Sequence, residues 1–217
     1  MPKNKPPRTE LVLIRHGQSN WNTIRRCQGT LDESRLTEQG LAQAAEVARS
    51  LARSPFSAIY SSSQMRSIQT AEVIAEGRGL AVQIDARLSE MSQGLWEGMF
   101  YPDIEAQYGE LYARFMKNPL DATPPGGETI QALARRTMSA VDDIAERYAG
   151  QPVLIVSHEI PLAAIRCLAA RQSLSALWEY GPANGEIVRL EWPADRPGWR
   201  ETLWSWMTFR WWVAGNE

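Results

Sequence analysis

At 217 residues the chain is long enough for one well-buried domain, or one core with an inserted cap. Apolar residues make up 44% and charged residues 22%, an ordinary globular balance, and no apolar run approaches the ~20 residues a membrane-spanning helix needs. A net charge of -2 gives no reason to expect nucleic acid or a membrane as partner, and two cysteines, Cys27 and Cys167, are too few for a disulfide framework or a cysteine-based zinc site.

The chain opens with Met1-Pro-Lys-Asn-Lys-Pro-Pro-Arg8, basic but with no apolar run behind it that would make a signal peptide. Residues 1–9 are expected to form a disordered arm, and the cytoplasm is the default location. Leu11 to Ile14 is a continuous apolar run between charge and Gly17, which predicts a buried strand. Leu36-Thr-Glu-Gln-Gly-Leu41 leads into an alanine-rich helix over 42–51. Ala58 to Tyr60 predicts a second strand, with Ser61, Ser62 and Ser63 capping a helix that carries Met65, Ile68, Ala71 and Ala75 at the helical period. Gly77 and Gly79 close that helix, and Val82 to Ile84 predicts a third strand.

A helix over 103–117 follows, then the turn cluster Thr123-Pro-Pro-Gly-Gly127. The clearest helix runs over 128–148, with Ile130, Leu133, Ala134, Met138, Val141 and Ile144 on one stripe. Val153 to Val156 predicts a fourth buried strand, followed by a helix over 162–170 and strand-like segments at 187–192 and around 201–204. Strands alternating with helices predict one domain, a three-layer αβα sandwich with a mostly parallel sheet and a small helical cap inserted over about 99–125.

The unusual residues fall at the strand ends. There are two histidines in the chain, and each follows a strand: His16 within Arg15-His-Gly17, and His158 after Ser157. Arg66 follows the second strand. In open α/β sheets ligands bind at the carboxyl ends of the strands, so parallel strands would bring Arg15, His16, Arg66 and His158 to one edge. That set suits phosphoryl transfer. Two guanidinium groups can clamp phosphate oxygens, and a neutral imidazole, kept from protonating by its arginine neighbours, is a competent nucleophile. The helix near Ser63 would add amide donors, and Glu90, after the third strand, could protonate the leaving oxygen if its pKa is raised.

The residues then resemble a known family. Arg15-His-Gly-Gln-Ser-Asn-Trp-Asn22, Arg26-Cys-Gln-Gly29, Leu36-Thr-Glu-Gln-Gly40, Ser61 through Thr70, Glu90 with Gly94-Leu-Trp-Glu-Gly98, Pro125-Gly-Gly-Glu-Thr129 and Val156-Ser-His158 are similar, in order, to the segments of the histidine phosphatase (phosphoglycerate mutase-like) superfamily. The resemblance implies that His16 is phosphorylated and Glu90 is the proton donor. It also implies that Arg15, Arg66 and His158 hold the phosphate with Asn22, that Gln28 and Gly29 lie beside the substrate, and that Ser19 keeps the polar capacity of the family's hydroxyl position. An antiparallel edge strand completes the expected sheet.

Two features depart from the family pattern. Glu159 stands where many members have glycine, and a carboxylate there must point away from the phosphate or pair with a cation. Residues 99–125 are short and carry only Arg114 and Lys117 as cations, which favours a phosphatase over a mutase primed by a bisphosphate; a non-catalytic phosphate-binding scaffold is the third reading. His158-Glu159 begins like a zinc-protease motif, but position 162 is leucine, so neither metal nor cofactor is expected. The partner is a small phosphate ester. Six of the nine tryptophans lie after residue 191; they are read as core packing, with a lid on the cleft or a homodimer contact as the alternative.

Overall fold

A computed structural model describes residues 8–192. The predicted strand around 201–204 and the tryptophan-rich tail, with the homodimer contact assigned to it, lie outside the described residues. Five strands form one sheet: β1 (Thr9–Arg15), β2 (Ala58–Ser61), β3 (Val82–Ile84), β4 (Val153–Ser157) and β5 (Ile187–Trp192). Their order is β3-β2-β4-β1-β5; the first four are parallel, and β5 runs antiparallel along β1 as the edge. Thr9, assigned to the N-terminal arm from sequence, is instead the first residue of β1, because its backbone extends the ladder to Trp192 and its hydroxyl donates to the Ala145 carbonyl at 2.8 Å.

The described residues form six α-helices: α1 (Asn20–Thr23), α2 (Glu38–Ser50), α3 (Met65–Ala75), α4 (Tyr101–Lys117), α5 (Ile130–Arg147) and α6 (Glu159–Ala169). Successive strand residues face opposite ways. Leu11, Leu13, Val153 and Ile155 pack with α5 and α6, while Val12, Ile14, Leu154 and Val156 pack with α2 and α3. That alternation makes both faces of the central strands apolar and accounts for the three layers. A third apolar cluster joins α4, the start of α5, α6 and the short helical turn at Leu174–Tyr180, beyond the carboxyl edge of the sheet. No helix among the described residues is long and apolar enough to cross a membrane.

Register positions the chemistry. Arg15 is paired with Ser157, and Ser61 with Val156, so the chain leaves β1, β2 and β4 at nearly one level. The residues that follow, His16, Ser62 and His158, therefore share one edge.

The serine capping expected for α3 is corrected. Its N-cap is Gln64, with no side-chain bond, and the first helical amide, Met65 N–H, donates to the Asp32 carboxylate at 2.6 Å. The helix start is satisfied by a distant loop. The four-residue α1 was not expected at all; it is nucleated by a capping box between Ser19 and Asn22.

Candidate active site

The loop after β1 carries His16 into the interior because two glycines let the chain pass. A Cβ on Gly17 would stand 2.3 Å from the Gly40 carbonyl oxygen, and one on Gly40 would stand 2.1 Å from the Gln18 oxygen. Backbone touches backbone there, so α2 lies directly against the His16 segment. On the other side, Asn184 Nδ2 donates to the His16 carbonyl at 2.9 Å and Gly185 N–H to the Arg15 carbonyl at 3.0 Å.

His16 is 2% exposed. Its Nδ1 lies 2.7 Å from the Gly17 carbonyl oxygen, which can only accept, so Nδ1 carries the hydrogen and Nε2 presents its lone pair. Burial, then the Arg66 and Arg15 charges, hold the ring well below its ordinary pKa of 6.5, against the opposing pull of the Gly17 bond. The imidazole is neutral at neutral pH.

His158 lies beneath, fully buried, with its ring centroid 5.1 Å from that of His16 in an edge-on arrangement. Its Nε2 is 2.6 Å from Ser62 Oγ. Ser62 Oγ also accepts from the Gln64 N–H at 3.4 Å; where its own hydrogen goes to Nε2, the hydrogen of His158 sits on Nδ1. Burial, followed by the Arg66 charge, pushes this ring also well below 6.5.

The two arginines are anchored in the same manner. Arg66, wholly buried, donates from Nη1 to the Leu31 carbonyl (3.0 Å) and from Nη2 to the Gly29 carbonyl (2.9 Å). Arg15 donates from Nη1 to the Pro182 carbonyl (2.8 Å) and pairs through Nη2 with Glu159 (2.7 Å). Each therefore keeps its Nε edge, and Arg15 Nε, Arg66 Nε and His158 Nδ1 are buried without a hydrogen-bond partner. Three unpaired nitrogens, two of them guanidinium N–H donors, are costly in an apolar interior and fit an anion. Burial brings Arg66 down to about 10, so it stays charged at neutral pH.

Glu90 sits on the loop after β3. Burial pushes its carboxyl up to about 7, against the Met91 amide and the Arg66 charge, which favour ionisation. The loop is held by Arg136, which pairs with Glu128 through two bonds of 2.8 Å and donates to the carbonyls of Arg87, Ser89 and Glu90. A second clasp is the Glu97 carboxylate, which accepts from the Thr30 and Gln93 amides.

A cavity of about 330 Å³ opens over these groups, lined by the polar residues Arg15, His16, Asn22, Gln28, Gly29, Arg66 and Glu90 and by the largely apolar Tyr101, Tyr112, Phe115, Ile160 and Trp178. The structure thus gathers the predicted site residues except two. Ser19 does not reach the wall: its hydroxyl caps α1 and bonds Gln28 Oε1 at 2.9 Å, holding the wall from behind. His158 lies under the wall. An open surface depression between α3 and β3 contains none of the predicted groups.

Sequence reasoning missed the partnerships. Ser62 was read as a cap and as part of the segment that carries Arg66, without its bond to His158. Nothing local marks Arg136 or Gln93. Glu159 does pair with a cation, Arg15, as one of its two expected escapes required.

Residues 11–206 match the histidine phosphatase superfamily (branch 1). The chain is 34% identical over 184 residues, covering 84% of this chain and 87% of the relative, to Phosphoserine phosphatase 1 of Hydrogenobacter thermophilus. It is 36% identical over 160 residues, covering 72% and 67%, to the Metal-independent phosphoserine phosphatase of Arabidopsis thaliana. Among solved structures, Bacillus stearothermophilus YhfR superposes with a TM-score of 0.80 at 32% identity, over 88% of this chain and 92% of that one.

Proposed function

The chain belongs to branch 1 of the histidine phosphatase superfamily, and from that premise we propose that it is a metal-independent phosphomonoester hydrolase of the cytoplasm that works through a phosphohistidine on His16. The observation that carries this reading is the neutral His16 ring with its Nε2 lone pair, set among the unpaired nitrogens of Arg15, Arg66 and His158.

A phosphate dianion seats against the Arg15 and Arg66 Nε edges and His158 Nδ1, with Asn22, Gln28 and Gly29 on the adjoining wall. His16 Nε2 attacks phosphorus as the ester oxygen departs, and the guanidinium charges stabilise the equatorial oxygens. Glu90, held protonated near neutral pH, gives its proton to the leaving oxygen. Water then attacks the phosphohistidine, with the Glu90 carboxylate taking a proton from it, and phosphate leaves. Two arginines and developing hydrogen bonds carry the charge in every step.

A mutase would need cations to hold a second anionic group. Phosphatase is favoured because the residues of α4 on the cavity, Tyr101, Tyr112, Phe115 and Met116, include no cation, and of the further cations on its lining Arg26 is engaged by Trp21 and the Gly98 carbonyl and Arg25 is exposed. The test is hydrolysis of an aryl phosphate and a panel of esters with chelator present, by the protein and by His16→Ala. Phosphate release lost in the mutant supports the reading; isomerisation dependent on a bisphosphate would replace it with the mutase; no turnover by the unmutated protein would sink both.

A further inference from the structure

Glu159 is the residue the mechanism above does not use. It is the first residue of α6, directly after His158, and its Oε2 lies 2.7 Å from Arg15 Nη2. Its side chain crosses Gly181, where a Cβ would stand 3.2 Å from Oε1, so the absence of a side chain at 181 gives the carboxylate its berth. The side chain is 43% exposed, and among the described residues Oε1 accepts no hydrogen bond. It faces the cavity that Tyr101, Tyr112 and Trp178 also line.

Charge distribution on that wall is specific. The carboxyl groups lining the cavity are Glu90 and Glu159. Glu90 belongs to the acid step, so Glu159 is the carboxylate left to meet a leaving group. Of the other two cations on the wall, Arg26 is engaged, its guanidinium 4.2 Å from the Trp21 ring centre and its Nε donating to the Gly98 carbonyl. Arg25 is exposed, where solvent screens it. A carboxylate that shares a cavity with aromatic rings suits an ammonium group, which can gain ion pairing and cation–π attraction together. The same carboxylate repels a leaving group that carries its own negative charge.

We propose that Glu159 is a specificity-determining residue that selects phosphate monoesters whose leaving alcohol carries an ammonium group, seated between its carboxylate and the aromatic wall of the cavity. This rests on the phosphatase reading. Gly181 and Arg15 set the position of the carboxylate: one gives it room, the other fixes one oxygen and leaves Oε1 for the substrate.

The experiment measures kcat/KM of the full chain for three esters of similar length, 2-aminoethyl phosphate, n-propyl phosphate and carboxymethyl phosphate, with p-nitrophenyl phosphate alongside. The 2-aminoethyl ester is expected to exceed the n-propyl ester about tenfold, the scale of one partly exposed charge contact with aromatic support, and the carboxymethyl ester to fall below both. In Glu159→Gln the 2-aminoethyl to n-propyl ratio should fall to near one. Each ratio compares two esters on one preparation, so partial loss of folded protein cancels, and Glu159→Gly serves as a second variant. A ratio near one in the unmutated protein, or the same ratio after Glu159→Gln, overturns the inference while p-nitrophenyl phosphate turnover leaves the phosphatase reading standing. No turnover of any ester overturns both.

Discussion

His16 Nδ1 lies 2.7 Å from the carbonyl oxygen of Gly17, and this contact decides which side of the ring can react. A carbonyl cannot donate, so the ring is locked in the tautomer whose Nε2 is basic, without any carboxylate behind it. A carboxylate partner would raise the imidazole pKa and favour its protonation; the carbonyl orients the ring without adding a full negative charge, and burial with the arginine charges keeps it neutral.

His16→Ala should abolish turnover by at least ~10³-fold, the scale of losing a nucleophile. A labelled ester quenched in alkali should leave acid-labile label on the unmutated protein and none on the variant. Label retained on His16→Ala would move the nucleophile elsewhere.

Arg66→Ala should lower kcat/KM for an aryl phosphate by ~10²-fold or more, as loss of one oxyanion donor does. Because Arg66 also holds the Leu31 and Gly29 carbonyls, Tm should fall as well. Arg66→Lys should recover little, since one ammonium cannot hold two carbonyls and still present a planar edge to phosphate. Near-normal rates for either variant would remove Arg66 from the phosphate pocket.

Glu90 must be protonated to act as the acid, and its carboxyl lies at about 7. The rate for an alkyl phosphate should therefore fall as pH rises through about 7. In Glu90→Gln that alkaline limb should vanish and alkyl esters should lose more than aryl esters, whose leaving oxygen needs no proton. Equal losses on both ester types would argue against a proton donor at this position.

The same shift acts on stability. The folded Glu90 carboxyl lies above its ordinary 4.5, so its proton favours the folded state. That contribution is complete below about 4.5 and is lost as pH rises through about 7. Thermal melts of Glu90→Gln, which stays neutral, should gain on the unmutated protein by several degrees between pH 4.5 and 8. A constant offset across that range would contradict the buried-carboxyl account.

Gly40→Ala should destabilise by about 1–3 kcal/mol, the usual range for overpacking, because its Cβ would meet the Gln18 carbonyl at 2.1 Å. Backbone cannot rotate away as a side chain can. A variant with unchanged Tm would show that α2 is less tightly set against the His16 loop.

The strands were legible because β1 and β4 are buried on both faces, which writes a continuous apolar run into the sequence. Helix α5 was legible for the opposite reason: one face is buried, and the stripe from Ile130 to Ile144 keeps the helical period. The first four-residue helix has no period to show, and it forms through a side-chain bond instead. Site residues that follow strands could be found because topology places them. Arg136 could not, since its purpose is three carbonyls 46 to 49 residues away. The expected serine cap of α3 failed for a related reason: the better acceptor, Asp32, arrives from another loop.

The two walls of the cavity have separate origins along the chain. The phosphate wall hangs from strand ends fixed by register, while the aromatic wall comes largely from α4, with Ile160 and Trp178. The share of substrate preference that α4 sets can accordingly drift apart from the bond-breaking chemistry. Residues such as Tyr112 and Met116 can be randomised in a library while the hydrogen bonds of His16, Arg66 and His158, none of which involve α4, stay in place; Phe115, packed edge-on against Trp96 and Trp178, belongs to the core. For a protein engineer, that makes α4 the first place to search for new ester selectivity.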